Sequence, residues 1–159
     1  MKNQRSYEWE STGEALAQLR QLSGIEFLRK MMAGELPAPP VTAALGFRLE
    51  TIEPGRAVFV FHPEEFQYNP IGTVHGGVLA TVCDSAIGCA VHSQLPAGAG
   101  YTTLELKTNF VRPLLKGTGE ARCVGEVLYL GSRQATGEAK IFNADGKLVA
   151  HATATCLIL

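Results

Sequence analysis

Between Gly76 and Gln94 the apolar residues Leu79, Val82, Cys83, Ala86, Ile87 and Ala90 fall at helical steps, and beyond them the period changes to two through four consecutive segments. A run that is apolar on most sides predicts a helix buried on most sides. The segments that follow, roughly Tyr101 to Val111, Gly119 to Tyr129, Arg133 to Asn143 and Lys147 to Ile158, predict strands. Gly117, Gly131 and Asn143-Ala144-Asp145-Gly146 supply the turns. In the third of these strands Gly137, Ala139 and Ile141 share a face; in the last, Leu148, Ala150, Ala152, Ala154, Cys156 and Ile158 do. Small inward residues leave room for something wide, and the long helix fits. A four-stranded antiparallel meander wrapped on one buried helix, an α+β layer pattern, is therefore expected.

Upstream, "FRLETIEPGRAVFVFH" alternates apolar and polar residues on both sides of Pro54-Gly55, which predicts a β-hairpin. From Thr12 to about Ala33, Leu16, Leu19, Leu22, Ile25, Leu28 and Met32 recur at helical spacing, with a break near Ser23-Gly24. The prolines of "GELPAPP", residues 34–40, end that helix and give an extended connector. The division is thus an N-terminal helical arm with its connector at 1–39, and one domain at 40–159. A chain of 159 residues is long enough to bury a core without metal or disulfide help.

Charge excludes some functions. Lys+Arg number 14 against Asp+Glu 15, so no basic excess argues for nucleic acid. No stretch approaches the roughly 18 apolar residues of a membrane span, and the polar start lacks a signal peptide's apolar region, so a soluble cytoplasmic protein is expected. Cys83, Cys89, Cys123 and Cys156 form no CxxC pair and lie in apolar surroundings, which reads as small buried hydrophobes rather than a metal site. No G-x-S-x-G, GxxxxGK[ST], HExxH or GxGxxG run is present, and His62, His92 and His151 read as structural.

Chemistry concentrates in "NPIGTVHGGVLATVCDSAIGCA", residues 69–90. Asn69-Pro70 with Gly72 suits a turn, and His75 precedes the helix start. Gly76 and Gly77, without side chains, leave first-turn backbone N–H groups open to a ligand, and the helix dipole favours a developing oxyanion there. Asp84 interrupts the apolar run, and an unpaired carboxylate buried there would cost several kcal/mol, so something polar must meet it. A structural hydrogen-bond network or an exposed helix edge satisfies that need; so does a role as general base or nucleophile. His75 and Asp84 are nine residues apart, about 13 Å along a helix, too far to act on one bond within one chain. If both serve one site, a two-fold pair of chains must build it.

The run Asn69-Pro-Ile-Gly72-Thr-Val-His75-Gly76-Gly77, the later Asp84, "NFVRP" at 109–113 and the closing "GKLVAHATATCLI" resemble the hotdog-fold acyl-CoA thioesterases, specifically the PaaI-like type of phenylacetate pathways, over about residues 40 to 158. The resemblance implies a long central helix in a curved antiparallel sheet, a homodimer or dimer of dimers, and active sites at the dimer interface. It implies that Asp84 acts on the thioester as nucleophile or as base for water, and that the Gly76 N–H polarises the carbonyl. Asn69 and His75 then position the substrate from the opposite subunit, beside Gly77. A Ser or Thr of the strand after the helix orients the water, which selects Thr103. Leu104, Leu106 and Phe110 suggest that strand's apolar face, giving Thr102 the better parity unless a bulge intervenes. Arg112, Arg133 and Lys107 are candidates for the CoA phosphates. The expected partner is an acyl-CoA substrate, with no metal and no resident cofactor. Two rivals stand beside hydrolysis: a hotdog enoyl-CoA hydratase or dehydratase, which needs its acid and histidine on another spacing, and a non-catalytic acyl-CoA sensor, which has no need of Asp84.

Overall fold

A computed structural model describes residues 2–159. Residues 2–11 run without regular structure ahead of helices α1 (Gly13–Leu19), α2 (Gly24–Met32) and α3 (Pro40–Leu45). The break foreseen at Ser23-Gly24 is a helix start. The Glu26 carboxylate accepts the Ser23 backbone N–H at 3.0 Å and its hydroxyl at 2.5 Å, the reciprocal half of a capping box. Helix α3 was not foreseen. Pro40 occupies its first turn, where a missing N–H costs nothing, so the connector's last proline begins a helix. Arg5 braces α3 by donating to the Ala43 and Ala44 carbonyls at 2.7 and 2.6 Å, while its guanidinium lies 3.8 Å from the Phe66 ring centroid.

Strands β1 (Phe47–Glu53) and β2 (Arg56–Phe61) form the expected hairpin. After a short 3-10 turn (Glu65–Gln67) comes helix α4 (Gly76–His92), then β3 (Tyr101–Phe110), β4 (Ala121–Leu130), β5 (Gln134–Phe142) and β6 (Leu148–Ile158). All six strands make one antiparallel sheet in the order β1-β2-β4-β5-β6-β3. This corrects the four-stranded meander. Only β4, β5 and β6 follow one another; β2 takes the free side of β4, and β3 sits beyond β6 at the edge. Residues 111–120 carry the chain back across three strand spacings, about 14 Å, well within their reach. Strand periodicity announces strands but is silent on which neighbour each will find.

The faces of β5 and β6 are as expected: Ala139, Ile141, Ala150, Ala152 and Cys156 are buried around α4. Helix and sheet approach so closely that a methyl added at Gly125 would lie 2.4 Å from the carbonyl carbon of Ala86, and one at Gly137 would lie 2.7 Å from Ile87 Cγ2. The arm joins the same core through Phe27, Leu28 and Leu36. Cys83, Cys123 and Cys156 are buried and free, and no helix among the described residues is long and apolar enough to cross a membrane.

His92, at the end of α4, is buried between the Phe27 and Tyr101 rings, each with its centroid 5.8 Å away, and neither ring nitrogen has a hydrogen-bond partner among the described residues. Burial holds its pKa below the ordinary 6.5. The folded state therefore favours the neutral ring, and stability is complete above the unfolded value. It is lost progressively as pH falls below about 6.5 toward the lowered folded value, because the unfolded chain takes up the proton first. Urea midpoints measured from pH 7.5 to 5 should fall over that range, and His92→Leu should flatten the decline; an unchanged slope in the variant would assign it to other groups.

Candidate active site

The loop before α4 is tied down by its own polar groups. Asn69 Oδ1 accepts the Ile71 and Thr73 backbone N–H groups at 3.1 and 3.2 Å, and Nδ2 donates to Thr73 Oγ1 at 3.0 Å. Asn69 thus builds the turn first, with its second amide hydrogen to spare. The His75 N–H donates to the Gln67 carbonyl at 2.8 Å, and the buried Gln67 amide donates to the Leu45 carbonyl at 2.7 Å, fixing the entry into the helix.

His75 is the N-cap of α4, and its Nδ1 accepts the Gly77 N–H at 2.8 Å. That bond places the neutral ring's proton on Nε2, on an exposed side chain. It also divides the glycine pair. Gly77 spends its N–H on His75 and Val78 donates to the His75 carbonyl at 2.9 Å, while the Gly76 N–H meets no acceptor among the described residues. Only Gly76 is left to receive an oxyanion. The Phe110 ring lies over it, 3.0 Å from where a Cβ would stand, so a side chain at position 76 would press that ring aside. Around this point a cavity of about 360 Å³ is lined by Asn69, Thr73, Gly76, Phe110 and Arg112.

Asp84 lies eight residues on, half-buried, on a different cavity of about 450 Å³. Its Oδ1 accepts the Thr103 hydroxyl at 2.8 Å; among the described residues nothing donates to Oδ2. The choice between Thr103 and Thr102 is decided by a bulge. Thr103 pairs with Cys156 and Glu105 with Thr155, so Leu104 is an extra residue that resets the alternation. Leu104 is 60% exposed and outside the inward face, whereas Thr103, Leu106 and Phe110 turn toward the helix, Phe110 opposite the buried Ala150, and Thr102 faces solvent.

From α4 and β3, three further residues of this cavity escaped the sequence reading. Ser85 and Cys89 share the Asp84 side of α4, a placement that helical spacing does signal, and Tyr101 opens β3. Burial, reinforced by the Asp84 carboxylate, pushes the Cys89 thiol up to about 12, and burial raises the Tyr101 phenol well above its ordinary range. Both stay protonated near neutrality, and Cys89 is no thiolate nucleophile. The carboxylate is the only anionic group on the cavity wall among the described residues, with one oxygen held by Thr103 and the other free to take a proton from water or to attack a carbonyl carbon.

The two cavities share no lining residue. The Gly76 amide and Asp84 therefore face different cavities of one chain. Arg112 lines the Gly76 cavity and donates to the Leu148 carbonyl. Arg133 and Lys107 line neither cavity; the Arg133 carbonyl accepts from Ile158, which pairs with Tyr101 at the opposite end of β3 from Phe110.

A single long helix held in a six-stranded antiparallel sheet, with a glycine turn at its N-terminus and an acid at its middle, is the hotdog fold. The chain belongs to the thioesterase superfamily, whose family pattern matches residues 71–150. A Saccharolobus solfataricus protein carrying the name of an esterase is 35% identical over 116 residues, 72% of this chain and 80% of that one. Among solved structures, a thioesterase family protein from Silicibacter pomeroyi is 31% identical with a TM-score of 0.71, over 83% of this chain and 95% of the other. The E. coli PaaI protein from the phenylacetic acid degradation operon superposes with a TM-score of 0.75 over 89% and 96% of the two chains; at 21% identity it speaks for the fold alone.

Proposed function

We infer that the protein hydrolyses acyl-CoA thioesters at two equivalent sites, each assembled from two copies of the chain. The carrying observation is the Asp84–Thr103 hydrogen bond on a cavity that lacks the Gly76 amide, with that amide unpaired on another. Strand β3 supports the arrangement. It is a sheet edge, with Thr103 near its start and Phe110, the residue over Gly76, at its end. An unpaired edge strand is a template for another strand. Antiparallel pairing of β3 with β3 about a two-fold axis sets the start of one against the end of the other, so each Asp84–Thr103 pair meets the other copy's Gly76 turn.

In that site the thioester carbonyl oxygen receives the Gly76 N–H, with His75 Nε2–H and the spare Asn69 amide hydrogen as positioning donors. Asp84 either takes a proton as water attacks the carbonyl carbon, or attacks that carbon itself to form an anhydride that water then opens. In both cases the carbon–sulfur bond breaks and CoA leaves as the thiol after protonation. Arg112, which lines the Gly76 cavity, is the guanidinium that would meet the CoA phosphates there.

Mixed dimers test the sharing. Asp84→Ala and His75→Ala homodimers should each be nearly inactive in thiol release from a panel of acyl-CoAs. Subunit exchange at equal amounts should restore about a quarter of wild-type activity, because half the dimers are mixed and each carries one intact site. Mixtures no more active than their parents would defeat the shared site, and an active monomer would do the same.

A further inference from the structure

Beyond Asp84 and Ser85 the 450 Å³ cavity is walled by the N-terminal arm and α3: Met31 and Met32 from α2, Pro39 from the connector and Val41 from α3. Leu49 of β1 and Phe59 of β2 complete that apolar wall. Its volume is that of a small-ligand site, typically about 300–1,000 Å³. Met32 and Val41 keep 44% and 40% of their surface exposed, which is apolar area left open along a cavity that holds the reactive carboxylate. Arg48 is the cation on this wall among the described residues, and it is paired with Glu50 and Glu120 at 3.8 and 3.6 Å. A ligand carrying a second carboxylate would therefore face Asp84, with Arg48 shared between two glutamates. The Arg5 clasp on Ala43 and Ala44 holds α3, and with it Val41, against the domain.

We propose that residues 31–42 form the acyl-selecting wall of the site, admitting neutral apolar acyl groups and limiting their length through Met32 and Val41. This rests on the thioesterase reading above. The arm is thus a part of the active site rather than an appendage to it. A single methylene in an apolar pocket changes discrimination by roughly 10- to 200-fold, so side chains that fill or empty this wall should act on chain length.

The test compares kcat/KM for acetyl-, hexanoyl-, octanoyl-, decanoyl-, phenylacetyl- and succinyl-CoA in the full-length wild type, Met32→Trp, Val41→Trp and Met32→Ala. The two tryptophan variants should lower the octanoyl-to-acetyl ratio by roughly tenfold or more, and Met32→Ala should raise the decanoyl-to-octanoyl ratio. Succinyl-CoA should be a poor substrate of the wild type. Unchanged ratios in all three variants, or a preference for succinyl-CoA, would overturn the proposal. Titration with the non-hydrolysable S-octyl thioether of CoA separates the two readings. Binding that the tryptophan variants weaken, with no thiol release by the wild type, keeps the wall and removes the hydrolase. Thiol release with unaltered ratios keeps the hydrolase and removes the wall, and absence of thioether binding to the wild type also overturns the wall.

Discussion

Asp84→Asn should lower kcat for acyl-CoA hydrolysis by about 10²- to 10⁴-fold, the range set by loss of a positioned proton acceptor or nucleophile. The substitution isolates chemistry from packing. An asparagine oxygen can still accept the Thr103 hydroxyl that Asp84 Oδ1 holds at 2.8 Å, so the helix and β3 remain joined. What is lost is the basicity of the oxygen that opens on the cavity. KM should move little, since the amide keeps the size and place of the carboxylate, and the melting temperature should stay near the wild-type value. Steady-state thiol release measured beside thermal unfolding reads both. A folded variant with near wild-type kcat would remove Asp84 from the reaction.

The largest loss of stability should follow Gly125→Val. The first atom of any side chain there would stand 2.4 Å from both the carbonyl carbon and the carbonyl oxygen of Ala86. Those are backbone atoms of α4, so no rotamer change relieves the contact; the whole helix must lift from the sheet. Overpacking of a well-filled core costs about 1–3 kcal/mol when side chains can adjust, and about 3 kcal/mol or more is expected where they cannot. For a chain of this size that corresponds to a fall of roughly 6–12 °C in Tm. Ala86→Gly added to the variant should not restore stability, because it leaves the backbone contact in place. At Gly137 the nearest atom is Ile87 Cγ2, so Gly137→Ala should be partly relieved by Ile87→Ala. Calorimetry of these variants decides the matter: a Gly125→Val protein as stable as the wild type would show that the helix is free to shift.

Local chemistry made much of this legible in advance. Apolar residues at helical steps marked α4, alternation marked β4 to β6, and Pro54-Gly55 marked the hairpin, since each depends on neighbours a few positions away. The small residues of β5 and β6 declared that something wide lay against them, and α4 does. Asp84 was conspicuous because a carboxylate in an apolar run needs a partner, and the partner is Thr103. Thr103 itself was selected by resemblance against the parity of its strand; the reason is the bulge at Leu104, a one-residue irregularity that no alternation pattern contains.

By itself, then, the order of residues determined the elements, the buried helix, the hairpin and the separation of the acid from the glycine turn by two turns of helix and more. Only the tertiary structure decided that β3 lies beyond β6, that His75 claims the Gly77 amide and leaves Gly76 free, and that Met32 and Val41 stand on the same cavity as Asp84. The physical reason is range. Helical and strand periods arise from steric and burial preferences over a few residues, whereas pairing partners and cavity walls arise where the whole chain's apolar surface and backbone hydrogen bonds are satisfied together.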